Sequence, residues 1–126
     1  MSHRSRLSNL VLDCQAEDLA PHVKFWSRAL GKPVATSDMD GDGRYAELRT
    51  ADDEPILLLQ KVAHPSRVHL DIETDDVEAE RLVALGARKV GKVKTWWVME
   101  APSGHRFCVV RQQRETFGPH ANHWPD

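Results

Sequence analysis

The chain lacks several features that would assign it to a class at once. No apolar run approaches the roughly 20 residues that span a bilayer. The opening MSHRSRLSNL has no apolar core of a signal peptide, so no export signal is expected. The formal net charge is −2, and no basic stripe runs through the sequence. Arg4 to Arg6 is a short basic patch that reads as a solvated tail, and no nucleic-acid partner is expected. Two cysteines, Cys14 and Cys108, are too few for a disulfide framework, so a reduced, cytoplasmic protein is the simplest expectation. There is no glycine-rich phosphate loop, no Ser-His-Asp signal and no CxxC pair. At 126 residues the chain suits one compact domain or two small modules, with a core that needs no structural metal.

What is present is a weak internal repeat. Asn9-Leu10-Val11-Leu12-Asp13 is followed by Glu17-Asp18-Leu19 and Ala29-Leu30-Gly31. Arg67-Val68-His69-Leu70-Asp71 is followed by Asp75-Asp76-Val77 and Ala84-Leu85-Gly86. The offset is 58 from position 11 to 69 and again from 18 to 76. Each half begins with period-two alternation, the mark of a half-buried strand. Leu10, Leu12 and Cys14 share one face of residues 9–14. Val68, Leu70 and Ile72 share one face of residues 67–73, and Arg67, His69, Asp71 and Glu73 the other.

A helix follows each strand. Asp18 is placed to cap the first, Pro21 fits its first turn, and Gly31 fits its end. Leu19, Val23, Trp26 and Leu30 form its apolar stripe. In the second half Asp75 and Glu78 resemble a capping box, and Ala79, Leu82 and Val83 form the stripe. Three short strands are expected after each helix, at about 33–37, 44–49 and 56–62, then 87–93, 95–100 and 105–111. Asp, Gly and Pro clusters mark the turns between them. The order is βαβββ twice. Residues 113–126 carry no periodicity and are expected to be an irregular tail, with Phe117 and Trp124 as apolar anchors. Asp38-x-Asp40-x-Asp42-Gly43 starts like a calcium loop, but Arg49 stands where a bidentate Glu is needed, so a hairpin turn is expected. His120-x-x-His123 has metal-binding spacing only on a helix, which nothing in the tail supports.

This order resembles the glyoxalase/bleomycin-resistance/extradiol-dioxygenase (vicinal oxygen chelate) superfamily, within it the glyoxalase-like domain group. The resemblance rests on Phe25-Trp26, Ala29-Leu30-Gly31, His69-Leu70-Asp71, Leu85-Gly86-Ala87 and Ala101-Pro102-Ser103-Gly104-His105-Arg106-Phe107-Cys108. At the last turn Ala101 and His105 replace the family's usual Asp and Asn. The resemblance implies an α+β fold: two βαβββ modules, 7–62 and 67–112, forming a curved mixed sheet around a cleft, with 113–126 outside the domain.

The resemblance also implies where the chemistry sits. Enzymes of the superfamily hold a divalent metal with up to four residues from the first and last strands of the modules. Carried over by the repeat, those positions are Val11, Leu58, His69 and Cys108. Two are aliphatic, so no metal cofactor is expected. The alternative is a zinc, iron, manganese or nickel ion on His69 and Cys108. The register implied by the family puts Trp96, Val98 and Glu100 on the cleft side with Cys108, and Trp97 and Met99 on the helix side. His69, Asp71, Trp96, Val98, Glu100 and Cys108, with Tyr45 and Glu47 of the first module, are the expected ligand-binding residues. The expected function is binding of a small organic molecule in the cleft, without the usual metal. The alternative is a lyase, isomerase or dioxygenase, with His69 as catalytic base or metal ligand. A homodimer is compatible with the resemblance.

Overall fold

The computed structural model describes residues 2–39, 41–75, 78–114, 116–118 and 121–125. It is α+β: nine strands paired in a mixed sheet and two helices among the described residues. In order they are β1 (His3–Gln15), α1 (Ala20–Leu30), β2 (Val34–Thr36), β3 (Tyr45–Leu48), β4 (Ile56–Val62), β5 (Arg67–Thr74), α2 (Glu78–Ala84), β6 (Arg88–Val93), β7 (Trp96–Glu100), β8 (Arg106–Arg111) and β9 (Asn122–Trp124). This is βαβββ twice, followed by one short strand. The chain divides into two compact units, Asn9–His69 and Met1–Ser8 with Leu70–Asp126.

In the unit Asn9–His69, β1 runs parallel to β4, and β3 pairs antiparallel with both β4 and β2. Cys14, Leu19, Val23, Ala46, Leu48 and Leu59 form its buried core, with Leu12, Trp26 and Leu57 packed against it. Each fully buried aliphatic side chain contributes roughly 1.5–3 kcal/mol. Leu19 and Val23 of the expected stripe are buried, but Leu30 is exposed because α1 stops there. Gly31 ends the helix at φ 66°, a left-handed conformation that costs glycine little. Asp18 accepts the Ala20 N–H at 3.1 Å from one residue before the cap, Leu19. Asp38 accepts the Gly43 N–H and Asp42 the Arg44 N–H, as a hairpin turn requires. Asp40 of that turn lies outside the described residues.

In the other unit β5 runs parallel to β8, and β7 lies antiparallel between β8 and β6. Ala79, Met99 and Val109 are buried, packed by Leu82, Ala87, Trp97 and Phe107. Val83, expected in the buried stripe, is exposed. The polarity of β5 is the reverse of the expectation. Val68 and Leu70 are 55% and 43% exposed, whereas Asp71 and Glu73 are buried. Ion pairing makes the burial of Glu73 tolerable: it receives Arg6, and Arg6 lies on β1 rather than in a solvated tail.

The described residues of the C-terminal segment include a strand and are not wholly irregular. Its strand β9 pairs antiparallel with residues 3–5 of β1. Trp124 donates its indole N–H to Ser5 Oγ at 2.8 Å, and the Arg81 guanidinium stacks 3.7 Å from its ring centroid. Phe117 is buried, with the Arg4 guanidinium 4.5 Å from its ring centroid. His120 of the expected histidine pair lies outside the described residues.

The two expected capping residues of α2 are used otherwise. Asp75 accepts both the backbone N–H and the Nε–H of Arg4. Glu78 is buried against His3 Nε2 at 2.6 Å and takes both Nε–H and Nη2–H of Arg81. Burial pushes the Glu78 carboxyl up, but hydrogen bonds from Arg81, His3 and Ser5 outweigh it and hold the group below the ordinary value near 4.5. A lowered carboxyl stabilises the fold above its unfolded pKa. That stabilisation is lost as pH falls through the folded value. The wild type is therefore expected to lose stability steeply below about pH 4.5. Urea titrations across that range should show a shallower acid limb for Glu78→Gln; parallel limbs would contradict this account.

Candidate functional site

Strand alternation sets the face that can do chemistry. In the unit Asn9–His69 the core takes Leu12, Cys14, Ala46, Leu48, Leu57 and Leu59. The residues between them point the other way: Asn9, Val11 and Asp13 on β1, Ile56, Leu58 and Gln60 on β4, and Tyr45 and Glu47 on β3. Val11 is registered with Leu58, Asp13 with Gln60, and Tyr45 with Gln60. Gln60 Nε2 donates to Tyr45 Oη at 3.1 Å.

His69 joins this row from β5. Its Nδ1 lies 2.8 Å from Asp13 Oδ2. The Asp13 side chain is 2% exposed and that of His69 is 13% exposed. A carboxylate only accepts, so Nδ1 carries the proton and the ring orientation is fixed. Arg67 Nε approaches the same oxygen at 3.6 Å, beyond hydrogen-bond range, from a half-exposed side chain. Asp13 Oδ1 has no hydrogen-bond partner among the described residues. The outcome is a row His69, Asp13, Gln60, Tyr45 across four strands. Glu47 stands two residues further along β3, beside Leu58.

Asp13, Gln60 and Arg67 were not among the expected site residues. The signal for Asp13 was available, because the 58-residue offset carries Asp13 onto Asp71. Register also corrects one assignment. Cys108 pairs with Asp71, as Gln60 pairs with Asp13, so the first-module counterpart of Cys108 is Gln60 rather than Leu58. A strand slip of two leaves the facing unchanged, which is why alternation alone did not detect it.

In the other unit Val98 pairs with Cys108, which pairs with Asp71. Trp96, Val98 and Glu100 share that face, while Met99, Trp97, Phe107 and Val109 pack toward α2. The Glu100 carboxylate accepts Arg88 Nη2 and Arg106 Nε, each at 3.1 Å. Those two bonds hold its carboxyl below the ordinary range, Arg88 contributing most. Cys108 is half-buried and Cys14 is buried; burial and the nearby Asp13 push the Cys14 thiol up, so it is a poor nucleophile.

Three donors could hold a metal. His69 and Asp71 are same-face neighbours on β5, and Asp71 is registered against Cys108. Grooves of about 470 and 510 Å³ flank α1, lined in part by Lys24 and Arg28, on the side away from this row.

The glyoxalase-like domain family matches residues 9–110. No curated protein matches the chain by sequence. Among solved structures, Streptomyces coelicolor methylmalonyl-CoA epimerase in complex with 2-nitronate-propionyl-CoA is similar at 18% identity and TM-score 0.63, over 86% of this chain and 98% of that one. Methylmalonyl-CoA epimerase from Mycobacterium tuberculosis is similar at 14% identity and TM-score 0.62, over 86% and 89%. A variant of homoprotocatechuate 2,3-dioxygenase from B. fuscum is similar at 22% identity and TM-score 0.57, over 88% of this chain and 33% of that one. At these identities the structures speak for the fold, and the family match covers most of the chain. The chain belongs to the glyoxalase-like domain family.

Proposed function

We propose that the chain binds a small organic molecule on the face carrying His69, without a resident divalent metal. The observation that carries this reading is Val11 against Leu58. They are register partners, 2% and 9% exposed; Val11 is the first-module counterpart of His69, so that family position is aliphatic, while the counterpart of Cys108 is the neutral amide Gln60. Neither Val11 nor Leu58 can donate an electron pair. Gln60 gives its Nε2–H to Tyr45 Oη, so only its neutral amide oxygen is left as an electron-pair donor. The face instead offers a wall of aliphatic carbon with a few fixed polar groups, the usual make-up of a small-molecule site. His69, Tyr45, Gln60 and Glu47 supply the polar groups of this face; in the other unit Asp71, Trp96, Val98, Glu100 and Cys108 are proposed as ligand contacts on its own face. A fold neighbour solved with 2-nitronate-propionyl-CoA supports an organic ligand as the class. Two free cysteines fit a reducing cytoplasm.

A second reading has its own observation, the His69, Asp71 and Cys108 donors. Imidazole, carboxylate and thiolate are ordinary zinc ligands, and Asp13 on Nδ1 is the outer partner that metal-bound histidines commonly have. A metal there would polarise a substrate oxygen as a Lewis acid, the chemistry of a lyase, isomerase or dioxygenase. The residues fit the group in type, but Val11, the first-module counterpart of His69, offers no donor. Elemental analysis of protein purified without added metal separates the two readings. The proposal expects well below one equivalent. One equivalent of a single divalent metal, lost in His69→Ala, overturns it in favour of the second.

A further inference from the structure

Arg106, Glu100 and Arg88 lie side by side across β8, β7 and β6, each registered with the next. Two guanidiniums serve one carboxylate, so the trio carries one surplus positive charge. Glu100 accepts only Nη2 of Arg88 and only Nε of Arg106. Each guanidinium has five N–H donors in a planar fork. The two arginine side chains are 62% and 35% exposed, so their other donors face solvent. A single surface ion pair would be unremarkable, worth about 0–1 kcal/mol. The second arginine adds nothing that one carboxylate needs, and its charge is left over.

The strand geometry adds a direction. Val98 and Trp96 follow Glu100 on the same face of β7, both half-buried, and Val98 is registered against Cys108. An apolar and aromatic strip thus leads away from a paired guanidinium fork. We propose that Arg88 and Arg106 form an anion-binding subsite for the carboxylate or phosphate of a small organic molecule, whose apolar body lies along Val98 and Trp96. Glu100 holds both forks in place and competes with the ligand for them. Planar bidentate recognition of carboxylate or phosphate is what arginine does best. The inference rests on the small-molecule reading proposed above for Trp96, Val98 and Glu100, though neither His69 nor a metal takes part in it.

The test is an NMR titration of ¹⁵N-labelled full chain with three probes: benzoate, phenyl phosphate and inorganic phosphate. Saturable shifts are expected at Arg88, Val98, Glu100 and Arg106, with both aromatic anions bound more tightly than inorganic phosphate. Arg88→Gln and Arg106→Gln should each weaken binding roughly fivefold, the scale of a partly exposed charged contact. Arg106→Lys, which keeps the charge but loses the fork, should fall between Gln and wild type. Glu100→Gln should tighten binding roughly fivefold, because it removes the competing carboxylate. That rise also distinguishes a ligand site from a structural ion-pair trio, in which losing Glu100 would not help an anion. Amide spectra check that each variant remains folded. The proposal is overturned by the absence of saturable shifts with either aromatic anion, or by weaker binding in Glu100→Gln. Equal affinity for inorganic and phenyl phosphate overturns the apolar strip and reduces the site to one for free phosphate.

Discussion

Glu73→Ala is expected to lower the unfolding free energy by about 3–5 kcal/mol, the cost of breaking one side of a buried ion pair. Glu73 is fully buried, and both its oxygens are occupied. One accepts Arg6 Nε–H, and the other accepts the backbone N–H of Gln113 at 2.7 Å. Alanine would leave the Arg6 guanidinium, 14% exposed, without its counter-charge and the Gln113 amide without an acceptor. The damage should spread, because Arg6 Nη2 also donates to the Thr116 carbonyl at 3.2 Å. Urea denaturation of the full chain measures the loss, and hydrogen exchange at Gln113 locates it. Glu73→Gln keeps the shape and one acceptor, and should recover about half of the difference. A loss under about 1 kcal/mol for Glu73→Ala would show that the carboxylate is not what secures the segment.

The sequence was most legible where one period dominates. The first strand of each half, the six short strands after the helices and both helix ends emerged from alternation, apolar stripes and turn residues. β4 falls at Ile56–Val62, as expected. β8 falls at Arg106–Arg111, within one residue of the expectation. The facing of β7 also followed from register: Met99 is in the core and Val98 is opposite Cys108. The strands and turns are local, and local chemistry is enough to specify them, whereas the facing of β7 came from the family resemblance.

What was not legible depends on partners distant in sequence. Residues 3–8 look like a basic tail because Arg4 and Arg6 are charged, yet Asp75 and Glu73 neutralise them from nearly seventy positions away. The same pairing hides Glu73 and inverts the burial of β5. No window centred on β5 contains Arg6. The tail is the same case. Trp124 has no periodic company in its own segment, and its anchors, Ser5 and Arg81, lie far upstream. For the candidate site the repeat led to His69 but not to its partner. Asp13 reads as a solvent-facing residue of an alternating strand until the imidazole is seen beside it.

That partner is the strongest single test of the His69 face. Asp13→Ala is expected to cost about 2 kcal/mol in stability, since a charged hydrogen bond contributes about 1.5–3 kcal/mol and the site is buried. The more telling readout is the ring itself. In the wild type the neutral imidazole should carry its hydrogen on Nδ1, because Asp13 Oδ2 can only accept. Side-chain ¹⁵N shifts report that directly. Asp13→Ala should abolish the preference, whereas Asp13→Asn should keep it, because an amide oxygen still accepts. Arg67→Gln should change stability by less than about 0.5 kcal/mol, since its 3.6 Å approach supplies field but no bond. A double-mutant cycle of Asp13→Ala with His69→Ala should return a coupling of about 1.5 kcal/mol or more. A coupling near zero, with the tautomer unchanged in Asp13→Ala, would mean that Asp13 does not orient His69. The face would then lose His69 as a fixed group, and its polar contacts would rest on Tyr45, Gln60 and Glu47.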